Sequence, residues 1–489
     1  MSQDFEEIKR KTFFGGIWKF LERILAQMIT FVVSLVLARI LSPEEYGLVA
    51  VVTILINLMN VFVTSGYGAA LIQKKDADDR DFNTMFTFGG SLAVVLYIVL
   101  FIMAPFVADW YDNSFLTPLI RVMGLRLPIA SFNSIQQAYV AKKMEYRKFF
   151  WATLGGTLAS GVVGITMALL GCGVWALVGQ YFTNTLVDSI ILYYTFSWRY
   201  RFYYSGKLAR PMIRFGTSVL LASFVDAVYQ EIRAIVVGIR YDTEALAYYN
   251  RGEQFPKLIA LNLGTTIDGT LLPAFSLFQD DKERMRQGLQ RSVQVSTLIV
   301  APLMMGMATV ADPMVRVLLT DKWLLAVPYV RIFCVMYALN PLISASNQVV
   351  KAMGSSDAYL AIEIVKKALY ILVLVAAMPF GPLAIAASSV VAMVIACGIN
   401  AFMVKKLIEY PIWQQLRSYM PQYFAAVAMA LVISSVGNWI ENMFLLLTIQ
   451  ILVGALVYLV LLIICKVDAF NYFVRLIKGF LGRGRKCKM

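Results

Sequence analysis

Histidine is absent from all 489 residues. That removes the commonest metal ligand and the usual proton shuttle near neutral pH, and with them most hydrolase and metalloenzyme chemistries. Cysteine is scarce: Cys172, Cys334, Cys397, Cys465 and Cys487 are the only five, and no two form a C-x-x-C pair. Most fall inside or at the ends of apolar runs, so they read as packing residues and not as disulfides or metal ligands. No G-x-x-x-x-G-K-[ST] phosphate loop occurs, so ATP is not a direct energy source within this chain. Long polar loops are missing as well. The longest plausible connection is about a dozen residues, which leaves no soluble domain and no loop large enough for sugar chemistry.

What the chain has instead is apolar length. Apolar residues make up 59% of it and the mean hydropathy is +0.69. Runs of roughly 20 residues recur from Phe14 to Cys465, each long enough to cross a hydrocarbon core. We expect about fourteen spans, hence an all-α polytopic membrane protein. They fall near 14–40, 46–72, 84–107, 115–141, 149–170 and 174–196, then 212–240, 246–274, 290–311, 326–350, 358–379 and 382–404, with a last pair near 419–437 and 442–465. The first run is long, is flanked by Lys9, Arg10 and Lys11, and lacks a small-residue cleavage site, so it reads as a retained span.

The formal net charge of +14 is distributed, not clustered as on a nucleic-acid-binding face. Basic residues crowd alternate connections: Lys74, Lys75 and Arg80; Lys142, Lys143, Arg147 and Lys148; Arg199, Arg201, Lys207, Arg210 and Arg214; and so on to Lys466, Arg475, Lys478 and Arg483. The connections between carry acids, as in Glu44–Glu45, Asp109 with Asp112, and Glu441. Alternation of this kind predicts both termini in the cytoplasm. After the last span, Val467, Phe470, Val474 and Ile477 recur at helical spacing, which predicts an interfacial helix over 466–481.

The chain also repeats itself about 200 residues apart, as many transporters do. Leu37-Ala-Arg-Ile-Leu-Ser-Pro-Glu-Glu-Tyr-Gly47 is echoed at Val237-Gly-Ile-Arg-Tyr-Asp-Thr-Glu-Ala-Leu-Ala-Tyr248. At one offset Arg39 falls on Arg240, Ser42 on Thr243 and Gly68 on Gly269. We therefore expect helices 1–6 in an N-lobe, 1–205, helices 7–12 in a C-lobe, 206–407, an extra pair in 408–465, and a basic tail, 466–489. Six spans per copy is an even number, so the copies run parallel about an axis along the membrane normal. Prolines 128, 273, 302 and 341 fall in the expected spans and are candidates for kinks.

Ionisable groups at membrane depth cost about 2.5–3.5 kcal/mol each even on lenient scales, so they face protein or water. Glu22, Arg23 and Gln27 share a face of span 1. Arg121 and Arg126 precede Asn133, Gln136 and Gln137 on span 4. Ser223, Asp226, Tyr229, Gln230 and Arg233 stack on span 7, with Glu231 beside them. Arg251, Gln254, Lys257 and Asn262 follow on span 8 with Asp268, Arg331 lies on span 10, and Glu363, Lys366 and Lys367 on span 11. Bases outnumber acids, so stripes converging between the lobes make a cationic cavity suited to phosphate oxygens. We expect Arg23, Arg121, Arg126, Arg233, Arg251, Lys257 and Arg331 to bind an anionic headgroup, with Gln230, Gln254 and Asn262 beside them. Arg233 and Arg251 are the two whose loss should stop export. Asp226, Glu231 and Asp268 are candidates for coupling to Na⁺ or H⁺. The alternative for Asp226–Arg233 and for Glu363 with Lys366 or Lys367 is ion pairing that serves assembly alone.

Trp18 in a long first span, the 37–47 motif, Gly68-Ala-Ala-Leu-Ile-Gln73, Ala247-Tyr-Tyr-Asn-Arg251 and Leu272-Pro-Ala-Phe275 together resemble the Wzx-type polysaccharide flippases. These belong to the multidrug/oligosaccharidyl-lipid/polysaccharide exporter superfamily, and the likeness covers essentially the whole chain. It implies fourteen helices in two six-helix lobes around a V-shaped cavity. It also implies an undecaprenyl-pyrophosphate-linked oligosaccharide as cargo, turned from inner to outer leaflet of a bacterial plasma membrane, with the last two helices guiding the prenyl chain. A polysaccharide polymerase and glycosyltransferases are the partners this suggests, besides membrane lipids. Rival readings are a peptidoglycan lipid-precursor flippase, a drug/cation antiporter of the same superfamily and, from the enzymes, a polytopic polysaccharide polymerase.

Overall fold

The computed structural model describes residues 2–464, except 197, 355, 438 and 439, together with 470. The expected interfacial helix at 466–481, with Cys465 and Cys487, lies outside the described residues. Helices α1 (Ser2–Ile40), α2 (Pro43–Thr64), α3 (Tyr67–Gln73), α4 (Asp79–Trp110), α5 (Leu116–Gly124), α6 (Arg126–Lys143), α7 (Tyr146–Leu169) and α8 (Trp175–Thr195) come first. They are followed by α9 (Gly206–Arg240), α10 (Thr243–Ser276), α11 (Lys282–Thr309), α12 (Ala311–Leu319), α13 (Val327–Ala338), α14 (Asn340–Ala352), α15 (Ser356–Ala377), α16 (Pro382–Ile408), α17 (Ile412–Val436) and α18 (Met443–Ile464), and no strand occurs among the described residues. The order of long and broken helices repeats: α5–α6 answers to α13–α14, α7 to α15 and α8 to α16, and α17 and α18 follow outside the repeat.

Ten of these stretches are long and apolar enough to cross a membrane, and the chain is a multi-pass membrane protein. The other four expected spans are helical too, as α5–α6, α8, α9 and α15. Their polar and charged residues, such as Arg121, Asp188, Arg233 and Lys366, hold them below the hydropathy of a stand-alone span. Large apolar side chains stand outward on the long helices, for example Val162 on α7, Leu431 on α17 and Leu456 on α18. With hydrocarbon as the solvent that exposure carries no cost.

Local chemistry sets the breaks. Ser42 opens α2 with a capping box, accepting from the Glu45 N–H while Glu45 accepts from the Ser42 N–H at 2.7 Å, and Pro43 follows at the first position. Span 2 is interrupted at Gly66, whose φ of +90° suits glycine alone. Of the four candidate kink prolines, two only open helices: Pro128 lies at the third position of α6 and Pro341 at the second of α14, where an N–H has no intrahelical partner to lose. The interior prolines are Pro105, Pro211, Pro256, Pro273, Pro302 and Pro421.

Two compact units divide the chain, Met1–Ala247 and Tyr248–Met489. Helix α9 packs on α2, α3 and α4 and groups with the first unit. Glycine is the reason. A side-chain carbon on Gly47 would stand 1.9 Å from the Thr243 carbonyl oxygen, and one on Gly66 would stand 2.2 Å from the Gly216 carbonyl oxygen. Backbone thus meets backbone at both ends of the α2–α9 seam, on α9 itself at Gly216 and on the first residue of α10 at Thr243, the close approach that small residues allow in membrane bundles. The first unit's core gathers Phe82, Met85, Ile135, Trp198 and Met212. The second unit's core is built on Phe275, Met285, Leu289, Val349 and Val404.

Candidate functional site

In the first unit the polar stripe of span 4 zips onto α8. Arg126 Nε donates to Thr185 Oγ1 at 3.2 Å and its guanidinium lies 5.3 Å from the Tyr181 ring centroid. One turn and more along, Asn133 Nδ2 donates to Asp188 Oδ2 at 2.7 Å and to Ser189 Oγ at 3.2 Å, and Gln137 Nε2 donates to Asn133 Oδ1 at 2.5 Å. Gln136 Nε2 reaches the Ser189 carbonyl at 3.4 Å. Asp188 Oδ1 is buried without a hydrogen-bond partner among the described residues. Asp188 is not among the residues expected from the sequence, although it is the one acid of span 6.

Arg121 serves a different purpose. Pro105 has no N–H to give the carbonyl four residues back, and that carbonyl, Phe101, accepts from Arg121 Nε at 3.4 Å while the guanidinium stacks 4.1 Å from the Phe101 ring centroid. The second unit solves the same problem with a phenol: Pro302 frees the Leu298 carbonyl, which accepts from Tyr458 Oη of α18 at 3.1 Å. Arg331 donates through Nε to the Ala308 carbonyl in the last turn of α11 at 3.3 Å, where a cation also answers the helix dipole.

The remaining candidates divide by burial. Arg233 and Arg251 are 3% and 5% exposed. Arg251 Nη1 donates to Gln254 Oε1 at 2.6 Å and its guanidinium lies 5.0 Å from the centroid of the buried Trp323 ring. Glu231 accepts from Asn57 Nδ2 of α2 at 3.3 Å. Lys257 pairs with Glu253 at 3.3 Å, and Glu253 also accepts from Tyr337 Oη at 2.8 Å. Asn262 Nδ2 donates to the Leu258 carbonyl at 2.8 Å. Arg23, Asp226 and Gln230 are exposed, and the side chain of Asp268 lies outside the described residues. Arg251 therefore fastens α10 to the 3₁₀ turn that holds Trp323. A double-mutant cycle of Arg251→Ala with Trp323→Leu, read from thermal midpoints of purified protein, should show a coupling of about 1–2 kcal/mol; additive losses would remove that role.

The second unit holds a buried polar centre as well. Lys366, 8% exposed, pairs with Glu363 one turn before it. Its ammonium also donates to Asn347 Oδ1 at 3.4 Å and Asn400 Oδ1 at 3.3 Å, and Asn400 Nδ2 donates to Asn347 Oδ1 at 2.9 Å. Three helices, α14, α15 and α16, meet on that cluster. Outside the spans, a hydrogen bond from Lys282 Nζ at 2.6 Å holds the Glu409 carboxyl below its ordinary range and ties the start of α11 to the α16–α17 connection.

The second unit also holds an apolar cavity of about 780 Å³. Leu298, Pro302 and Gly306 of α11, Met314 of α12, Ile433 of α17 and Ile451 of α18 are among its walls. Its size is in the range of sites that enclose a whole ligand. The helix pair outside the repeat supplies one side of it.

Comparison with known proteins gives these features a setting. Residues 36–328, more than half the chain, match the model of a family described as "Polysaccharide biosynthesis protein". The succinoglycan biosynthesis transport protein ExoT of Rhizobium meliloti is 26% identical over 92% of this chain and 92% of its own length. The teichuronic acid biosynthesis protein TuaB of Bacillus subtilis is 24% identical over 82% and 85%, and the lipopolysaccharide biosynthesis protein WzxC of Escherichia coli is 22% identical over 74% of each. Among solved structures, the lipid II flippase MurJ in an inward closed conformation aligns with a TM-score of 0.73 at 16% identity, covering 94% of this chain and all of that one. A multidrug-resistance MATE transporter in an inward-facing conformation aligns at 0.58 and 15% identity, over 78% and 96%. At those identities the likeness is one of fold.

Proposed function

The chain belongs to the polysaccharide biosynthesis protein family, and on that premise we propose that it is a flippase for lipid-linked oligosaccharide. The cargo would be an undecaprenyl-pyrophosphate oligosaccharide, moved from the inner to the outer leaflet of a bacterial plasma membrane for surface polysaccharide assembly. The observation that carries the reading is the apolar cavity walled by α11, α12, α17 and α18. A transporter of soluble sugar has no use for a lipid-sized apolar groove, whereas a prenyl chain needs somewhere to stay while its head crosses. Polar and charged side chains supply the other half. Arg23, Asp226 and Gln230 are exposed and Lys257 is 42% exposed at membrane depth, where such groups face water and not hydrocarbon. A diphosphate head passing Arg23 in the first unit or Lys257 in the second would meet a fixed cation.

The orientation is the one the basic connections dictate, with both termini cytoplasmic. The movement we propose is alternating access, with the α2–α9 seam parting at one end at a time: at Gly47 and Thr243, or at Gly66 and Gly216. A lipid-precursor flippase for peptidoglycan would use the same parts, and the family match favours the polysaccharide branch. Docking of a polymerase and glycosyltransferases belongs to the same reading.

Filling the groove tests it. Gly306 faces the cavity with ordinary clearance, 3.5 Å from Met429 Cε, while Gly398 on α16 has open space around it. Gly306→Phe is expected to cut export of surface polysaccharide at least about tenfold with the protein present at normal level; the same change at Gly398 should leave export intact. Full export in Gly306→Phe would remove the groove from the mechanism.

A further inference from the structure

Among the described residues between α8 and α9, 196 and 198–205, no helix or strand occurs. The first part of this segment is fastened inward. Phe196 and Trp198 are buried; Trp198 stacks on Tyr139 at 6.2 Å between centroids, and Tyr200 lies 4.0 Å from Phe86. Side chains of α4 then grip the main chain. Asn83 Oδ1 accepts from the Arg201 N–H at 3.1 Å, and Thr87 Oγ1 donates to the Tyr203 carbonyl at 3.1 Å. The segment is a pinned strap and not a loose loop.

Pinning it this way fixes what faces out. Phe202 is 85% exposed and Tyr204 54%, and Arg201, Lys207 and Arg210 are exposed around them. Arg199 is occupied elsewhere, 4.7 Å from the Tyr193 ring centroid and bonded to the Trp198 carbonyl at 3.1 Å. No Asp or Glu occurs from Ser189 to Val225, so the segment itself supplies no counter-charge to these cations. The strap begins where α8 ends at Thr195 and stops where α9 begins at Gly206, so both its ends are tied to helices at the bilayer surface. Held-out aromatic rings set among unneutralised cations, at that depth, are the composition of a lipid interface.

We propose that this strap and the start of α9 form a docking surface for anionic phospholipid of the inner leaflet, with Phe202 and Tyr204 of the strap seated at the headgroup level and Arg201 of the strap, with Lys207 and Arg210 of α9, on lipid phosphates. The proposal rests on the orientation given above, and it adds a lipid-composition dependence that transport of a lipid-linked head does not itself require.

The test uses the full-length chain with its five cysteines replaced by serine, Phe202→Cys carrying a bimane, and reconstitution into phosphatidylcholine vesicles with or without phosphatidylglycerol. Quenching by a nitroxide on shallow lipid positions should rise with phosphatidylglycerol. It should fall when Arg201, Lys207 and Arg210 are changed to glutamine, roughly fivefold in the contact equilibrium per cation removed. Equal quenching with and without phosphatidylglycerol would overturn the anionic-lipid assignment. So would quenching by aqueous iodide in place of lipid nitroxide, the result expected if the strap is a seat for another protein. Labelling of the same cysteine in intact cells by an impermeant thiol reagent reads the orientation separately. Reaction from outside would sink the inner-leaflet placement even with lipid contact intact.

Discussion

Replacing Gly47 with valine should abolish export and leave little correctly folded protein. The atom that offends is the first one of the side chain, so alanine suffices: its β-carbon would stand 1.9 Å from the Thr243 carbonyl oxygen and 2.5 Å from the carbonyl carbon. Both are backbone atoms of the first residue of α10, which cannot swing aside as a flexible side chain does. Either the start of α10 withdraws from α2 or α2 itself gives way. Overpacking in a well-packed site ordinarily costs about 1–3 kcal/mol, and a clash with main chain should reach or exceed the top of that range. Gly66→Ala is expected to behave alike, because it adds the penalty of a φ of +90° to a 2.2 Å approach. Thermal midpoint by fluorescence-detected size exclusion checks both. A Gly47→Ala protein with the wild-type midpoint would mean that α2 and the start of α10 do not touch as described.

The second large effect should come from Lys366. Lys366→Met leaves the Glu363 carboxylate, 26% exposed, without its ammonium, and Asn347 and Asn400 with one fewer donor. Removing one member of a buried pair costs about 3–5 kcal/mol, while removing both for apolar groups of similar volume is often neutral. The single change should therefore be severe, and Lys366→Met with Glu363→Leu should recover most of the lost midpoint. A double variant no better than the single one would show that the cluster, not the charge balance, holds α14, α15 and α16 together.

That pair was already legible as Glu363 and Lys366 one turn apart, one of two readings the sequence left open. The stripe of Arg126, Asn133, Gln136 and Gln137 was legible for the same reason: helical spacing tells which residues share a face. What spacing does not tell is which neighbour the face meets, and so the stripe's partner, Asp188 on α8, went unremarked. Arg121 shows the limit more sharply. Its role follows from Pro105, sixteen positions earlier in the chain, and only the packing of α5 on α4 brings the arginine to the carbonyl that the proline frees. Arg251 carries the same lesson, because its ring partner Trp323 sits on a short turn that no periodicity announces. The apolar groove was foreseen only as a property of the helix pair after the repeat. Its other walls, on α11 and α12, required the fold.

The function proposed from the family, the groove and the exposed charges is the turning of a lipid-linked oligosaccharide across the bilayer. The most direct measurement is the sidedness of that lipid in cells depleted of this protein, read with an impermeant sugar-labelling reagent. Undecaprenyl-pyrophosphate oligosaccharide should accumulate unlabelled, facing inward, with loss of one surface polysaccharide. Accumulation already facing out, or normal outward labelling, would contradict the proposed function and place the defect after the flip.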